Sequence, residues 1–555
     1  MKAAQVLMEI LRAEGVRYLF GNPGTTELTF LDALPDSGLE YILALQEATA
    51  VAAADGYAQA SGTVGVVNLH VAPGVANGLT ILHSASRAKT PLLVTAGQQD
   101  SRFLFQDPIL SGDLVQLTEQ FTKWSYEIRR ADEAPAALRR ALTLAKTPPT
   151  GPVFLSLPMD LMTHVVEDSG APNPPVATRT LPDPAALSAV AATLARAKAP
   201  LIVAGDGVAR ADAVGELVGL AELIGARVYG EPVYRRTNFP GDHPLWRGGL
   251  FPSASGARKA LNDADCALIV GASVFTWFTY APGEPFPPGL VVIQLDDDPR
   301  EIGKNYPVSQ GIVTDPKSAL VALAREVGAL MTDAQRAAAA GRAAEVAKAK
   351  AAYQKVLTAT ADGDRDRTPI SAAFLMQTLA RVAPDDAVIV DETASSIRYV
   401  LGYLPFKYPG SFYGSKTGTL GWGMGAAIGV QLANPGRKVV ATIGDGSVMY
   451  ACQALWTAAH YHLPITYVVP NNASYAILKL GMLGMGLDSA KRGIYPGMDL
   501  VEPEIDYVAL ARSMGVEAAR VESPRDLGGV LEKMLAASGP TLVDVVIDRS
   551  VKSER

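Results

Sequence analysis

The sequence predicts an α/β protein of three doubly wound parallel-sheet domains. Three observations carry that prediction. Short apolar runs (Val153–Leu157, Leu201–Ala204, Cys266–Val270, Val291–Leu295 and Ala387–Val390) alternate with helix-period patterns, as strands buried between crossover helices do. Two breaks in composition divide the chain into three parts. Finally, Val66 to Pro91 is echoed by Val439 to Pro464, each spanning 25 positions with a strand, a turn, a helix and a proline that opens the next strand.

Taken in order, the chain opens with Ala3, Val6, Leu7, Ile10 and Leu11 at helical spacing. Glu9 and Glu14 interrupt the apolar core that a signal peptide needs, so this is the first helix of a domain covering residues 1–170. Between Glu167 and Pro184, Gly170, Pro172, Pro174, Pro175 and Pro182 mark an extended linker. A middle domain follows over residues 182–340. The Ala-rich, charge-dotted stretch Asp333–Ala361 reads as a helix and runs into the polar connector Asp362–Pro369, which opens a third domain over residues 368–550. In the repeated segments Leu82 matches Leu455 and Ala85 matches Ala458, whereas Ala72 and Gln99 occupy the positions of Asp445 and Asn472. Only the C-terminal copy can hold a metal through that pair.

Composition narrows the chemistry. A chain of 555 residues has room for three or four domains at about 150 residues each. A formal charge of −7 with dispersed Lys and Arg excludes a nucleic-acid surface and a polybasic membrane patch. No run reaches the roughly 18 apolar residues of a membrane span. The two cysteines, Cys266 and Cys452, lie in apolar contexts and read as core residues of a reducing compartment, so a cytoplasmic protein acting on small molecules is expected.

Gly444-Asp445-Gly446 and Asn471-Asn472 are the most informative residues. They follow the apolar runs Lys438–Ile443 and Pro464–Val469, with a helix expected over Tyr450–His460 between them. Asp445 and Asn472, 27 positions apart, therefore fall at two neighbouring strand ends. A hard cation such as Mg2+ takes oxygen ligands and shares them with phosphates, and the flanking glycines let backbone N–H groups approach an anion. Gly-Asp-Gly alone is a common turn; the strand, turn, helix and strand around it point to a phosphorylated cofactor.

This segment resembles thiamine diphosphate (ThDP) enzymes of the 2-oxo acid decarboxylase and acetohydroxyacid synthase superfamily. Within it the chain is most similar to benzoylformate decarboxylases, through Phe20-Gly-Asn-Pro-Gly-Thr25, Tyr41–Glu47, Ala54–Ser61, Thr95–Gln99 and Ala426–Leu432. The resemblance implies homologous outer domains, an N-terminal pyrimidine-binding one and a C-terminal diphosphate- and Mg2+-binding one, around a middle domain. It also implies a cofactor held between subunits, hence a homodimer at least, with a homotetramer expected.

The same resemblance implies roles for individual residues. Glu47 is the carboxylate that exchanges a proton with the aminopyrimidine; read alone, it is a helix-start acid favoured by the dipole. Asp445, Asn472 and the backbone carbonyl of Ser474 are the metal ligands. Gly444, Gly446, Ser447 and Ser395 serve the diphosphate, the Gly418 carbonyl accepts from the cofactor's amino group, and Leu420 wedges the cofactor into its bent form. Tyr475 and Leu478 cover the site. Thr25 stands where the family has a serine that meets the substrate carboxylate, and His70 matches a histidine of proton transfer. A second family histidine is replaced by Phe278, and Gly414 and Gly481 replace two pocket aromatics.

The expected reaction is decarboxylation of a 2-oxo acid, benzoylformate-like or larger, or carboligation of aldehydes through an enamine intermediate. Losing the histidine at 278 shifts weight toward carboligation. An acetolactate synthase-like or 2-hydroxyacyl-CoA lyase-like enzyme is the alternative, ranked lower because the long matches are decarboxylase-like and no basic C-terminal tail is present for CoA. A catalytically silent ThDP-binding subunit fits poorly with retention of Glu47 beside Asp445 and Asn472. In the middle domain, Ala204-Gly-Asp-Gly-Val208 is too short a glycine signal for a flavin dinucleotide site.

Overall fold

The computed structural model describes residues 1–551 except Thr279 and Ala281. Its strands form three six-stranded sheets. The first comprises β1 (Tyr18–Gly21), β2 (Glu40–Leu43), β3 (Gly65–Leu69), β4 (Leu92–Gln98), β5 (Ser125–Glu127) and β6 (Val153–Pro158). The second comprises β7 (Pro200–Ala204), β8 (Arg227–Gly230), β9 (Trp246–Gly249), β10 (Cys266–Val270), β11 (Val291–Asp296) and β12 (Gln310–Val313). The third comprises β13 (Val388–Glu392), β14 (Phe412–Gly414), β15 (Val439–Ile443), β16 (Ile465–Asn471), β17 (Glu517–Val521) and β18 (Thr541–Val546). The helices that bear on the site are α1 (Glu47–Ser61), α2 (Val71–Arg87), α3 (Trp422–Ala433), α4 (Asp445–Val448), α5 (Ala454–His460) and α6 (Ala476–Gly484).

Three α/β layers with parallel sheets are thus the architecture. The first sheet runs β2-β1-β3-β4-β6-β5 and the third β14-β13-β15-β16-β18-β17, the same order strand for strand. The repeat in sequence is therefore a repeat in topology. The second sheet runs β12-β11-β10-β7-β8-β9, a doubly wound order that reverses direction at β7 and β10. Central strands such as β3, β10 and β15 are buried at every residue, which is why they read as continuous apolar runs.

The chain divides into two compact units. One comprises Met1–Val176, Asp364–Val400 and Gly414–Arg555; the other comprises Ala177–Gly363 and Leu401–Tyr413. In the first unit α1 packs on α3 through small residues. A Cβ on Gly56 would stand 2.4 Å from the Ala426 carbonyl oxygen, and one on Gly429 1.8 Å from that of Ala53, so only glycine permits this crossing. Trp422, fully buried at the head of α3, donates its indole N–H to Asp55 Oδ2 at 2.5 Å. The other unit contains the Ala-rich helix, Asp333–Gly363, and an aromatic cluster of Phe275, Trp277, Phe286 and Tyr306. Among the described residues no helix is long and apolar enough to cross a membrane.

Candidate active site

Parallel strands leave their side-chain-bearing turns at one edge of the sheet, and two such edges hold the sequence candidates. At the third sheet, β13, β15 and β16 pair in register, Val388 with Val439 and Val439 with Ile465, so Glu392, Gly444 and Asn472 emerge side by side. Gly444 caps the four-residue α4, so Asp445 opens a helical turn. The helix expected over Tyr450–His460 instead starts at Ala454 as α5.

Asp445 is 4 % exposed and Asn472 5 % exposed, yet Asp445 Oδ2 and Asn472 Oδ1 have no hydrogen-bond partner. Leaving two acceptors buried and unpaired costs about 1–3 kcal/mol each, so a cation that takes both oxygens fits the site. Burial pushes the Asp445 carboxyl up to about 6, against the opposing effect of backbone N–H groups of Gly446, Ser474, Ala473 and Asn472 turned toward it. Asn471 has a different task. Its amide donates to Asp544 at 2.9 Å and its oxygen accepts from Ala473 N–H at 3.0 Å, which shapes the turn that presents Asn472.

A cleft opens beside this pair, lined by Thr393, Ala394, Ser395, Leu420, Gly444–Ser447, Tyr450, Pro470 and Ser474–Leu478. A Cβ on Gly446 would stand 2.5 Å from the Tyr475 ring, so the ring lies directly over the Gly-Asp-Gly turn. Ala394 (φ 41°) and Ala473 (φ 47°) hold left-handed backbone on either side of the cleft, strain of the kind that concentrates at functional sites. Gly418 (φ 70°) precedes Leu420 in the turn before α3, and on α6 a Cβ at Gly481 would meet nothing within 4 Å.

At the first sheet, β1, β2 and β3 end beside one another, with Gly21 paired to both Leu43 and Asn68. Asn22, Glu47 and His70 follow those ends. Glu47 opens α1, whose N-cap Gln46 accepts from Thr49 N–H. Asn77 Nδ2 donates to Glu47 Oε2 at 3.0 Å and Asn22 Nδ2 to Oε1 at 3.4 Å, which orients a carboxylate that is 8 % exposed. His70 caps α2 next to the strained Val71 (φ 30°).

Two acids absent from the sequence reading stand behind these groups. Glu27, 0 % exposed, lies 2.8 Å from His70 Nδ1 and accepts from Gly24 N–H, Gly97 N–H and the Thr26 hydroxyl. The threonine that touches His70 is Thr26, at 3.3 Å; Thr25 is exposed on the same turn. Glu392, the last residue of β13, is buried, and burial pushes its carboxyl up to about 7 although Gly423 and Gly421 N–H groups stabilise the anion. Phe278 belongs to the other unit and is 63 % exposed there. Its neighbour Trp277 is committed to that unit's aromatic core, donating to Tyr306 Oη at 2.8 Å.

Comparison with known proteins adds the decisive observation. Residues 1–113, 187–323 and 393–545 match the N-terminal TPP binding, central and C-terminal TPP binding domains of thiamine pyrophosphate enzymes. The chain is 35 % identical to benzoylformate decarboxylase of Pseudomonas aeruginosa over 97 % of each chain. It belongs to the thiamine pyrophosphate enzyme family. This thiamine pyrophosphate enzyme is also 30 % identical to a probable acetolactate synthase large subunit of Methanocaldococcus jannaschii, over 99 % of the chain and 92 % of the relative. Among solved structures it resembles a Rhodococcus jostii 4-hydroxybenzoylformate decarboxylase (TM-score 0.87, 32 % identity, 99 % and 100 % coverage). It also resembles benzoylformate decarboxylase from Polynucleobacter necessarius (TM-score 0.89, 30 % identity, 100 % of both chains).

Proposed function

We propose that this family member is a Mg2+- and ThDP-dependent lyase that decarboxylates a 2-oxo acid of benzoylformate size or larger and joins aldehydes at the same site. The observation that carries the reading is the pair of orphaned oxygens, Asp445 Oδ2 and Asn472 Oδ1, at adjoining strand ends beside a cleft. In this reading Asp445, Asn472 and the Ser474 carbonyl hold Mg2+, while Gly444, Gly446, Ser447 and Ser395 bind the diphosphate. Gly418 and Leu420 orient the rings and Tyr475 shields the metal turn. ThDP, when bound, supplies the carbon nucleophile and electron sink that cleavage beside a carbonyl requires.

The chain's own groups then handle protons and orientation. Glu47 exchanges a proton with the pyrimidine ring, its two oxygens steadied by Asn22 and Asn77. His70 moves a proton at Nε2, because Nδ1 is engaged by Glu27. The Thr25 hydroxyl meets the substrate carboxylate, and Leu478 bounds the substrate pocket.

The resemblance to thiamine diphosphate enzymes implies a site completed by a second copy, since Glu47 and the Asp445–Asn472 pair stand at the ends of different sheets. A dimer at least, with a tetramer as the assembly, and a cytoplasmic location complete the reading, as does the division into residues 1–170, 182–340 and 368–550.

Carboligation gains weight from Phe278, which offers no proton donor where the family's decarboxylases carry histidine, and from the similarity to acetolactate synthases. Thermal denaturation with Mg2+, ThDP, neither or both tests the cofactor assignment. Both together are expected to raise the midpoint well beyond either alone; equal midpoints in all four samples would refute it.

A further inference from the structure

Three backbone N–H groups from two separate turns converge on Glu392. Its Oε1 accepts from Gly421 N–H at 2.7 Å and its Oε2 from Gly423 N–H at 2.5 Å, while its backbone carbonyl accepts from Gly444 N–H at 3.1 Å. Gly421 and Gly423 flank Trp422 at the head of α3, directly after the Gly418–Leu420 turn. Gly444 caps α4, which carries Asp445. One residue therefore ties together the turn that orients the cofactor's rings and the turn that takes its diphosphate.

The fit is close. A Cβ on Gly423 would lie 2.6 Å from Ile443 Cδ1 and 3.0 Å from Glu392 Cβ, and Gly421 needs the left-handed backbone at φ 89°. The carboxylate is 6 % exposed, a costly place for a charge unless its oxygens are used. Only a group with two acceptor oxygens can serve both N–H groups; a carboxamide offers one acceptor and sets an N–H against the other.

We propose that Glu392 is a positioning residue that locks the ring-binding turn Gly418–Gly421 to the diphosphate-binding turn Gly444–Ser447 at one fixed spacing. This rests on the cofactor reading given under Proposed function. It predicts a selective defect: a ligand that spans both turns suffers when the lock is loosened, whereas a ligand that occupies the diphosphate turn alone does not.

The test is equilibrium binding of ThDP and of inorganic pyrophosphate, each with Mg2+, to wild-type protein and Glu392→Gln, read by quenching of tryptophan fluorescence or by calorimetry. ThDP binding is expected to weaken by about tenfold to a hundredfold in the variant, the effect of losing one charge-assisted hydrogen bond, while pyrophosphate stays within about twofold. ThDP affinity within about twofold of wild type overturns the proposal, and so does an equal loss for both ligands, which marks general damage. Should Glu392→Gln fail to fold, Glu392→Asp keeps the charge with a shorter reach and is held to the same comparison; failure of both variants to fold would assign Glu392 to the core and overturn the proposal. Wild-type protein that binds neither ligand would instead refute the cofactor reading beneath it.

Discussion

Glu27 Oε2 lies 2.8 Å from His70 Nδ1, and the glutamate is buried to 0 % exposure. A carboxylate only accepts, so the imidazole presents its Nδ1–H to Glu27 and leaves Nε2 for proton exchange. Replacing Glu27 with Gln removes the charge and sets an amide donor among Gly24 N–H, Gly97 N–H and the Thr26 hydroxyl, all of which need an acceptor. Glu27→Gln should lower kcat by about tenfold to a hundredfold while ThDP affinity is retained. Steady-state kinetics with a cofactor titration checks this; an unchanged kcat would show that His70 needs no such support.

Glu47→Gln should abolish turnover yet leave binding of Mg2+ and diphosphate intact, because the carboxylate lies at the end of a different sheet from Asp445. Calorimetry on the variant reads binding, and single-turnover measurements read chemistry. A variant with a near-normal rate would remove Glu47 from the proposed proton exchange.

Metal binding should depend on pH through Asp445. Burial raises its carboxyl to about 6, so in metal-free protein its favourable contribution is complete below the ordinary carboxylate range and is lost as pH rises through 6. A cation needs the ionised form and so restores stability above that pH. The Mg2+-dependent rise in thermal midpoint should therefore be full at pH 7 to 8 and weaken below about 6, with apparent affinity falling about tenfold per pH unit. Asp445→Asn should lose the Mg2+ effect at every pH. A stabilisation by Mg2+ that is as large at pH 5 as at pH 8 would contradict the assignment.

Phe278→His should raise CO2 release relative to acyloin formation if the missing imidazole limits protonation after decarboxylation. Product analysis on one 2-oxo acid offered with an aldehyde acceptor reads the ratio; an unaltered ratio would count against the role given to Phe278.

Much of this was legible in sequence for a physical reason. Parallel strands covered on both faces must be apolar throughout, so runs such as Val439–Ile443 announce themselves, and the fixed strand, helix and strand spacing brings Asp445 and Asn472 to adjoining ends. Less visible was how the turns are built. Gly444 caps a separate helical turn, so α5 starts four residues later than the periodicity suggests. Glu27 sits immediately after the Asn22–Thr26 segment that drew attention, but a charged residue in a turn gives no sign of complete burial. Glu392 carried a faint signal: the second of two acids that follow the apolar run Ala387–Val390, at a strand end three residues before Ser395. Nor did the sequence show that Trp277, half-buried against its unit's aromatic cluster, donates its indole N–H to Tyr306.

The most direct measurement is CO2 release from a panel of aromatic and aliphatic 2-oxo acids, with Mg2+ and ThDP present or omitted, analysing the same samples for aldehyde and acyloin. The account predicts product from an aromatic 2-oxo acid only when both cofactors are present. Absence of CO2 and of acyloin across the panel, or product formation unaffected by removing both cofactors, would contradict it.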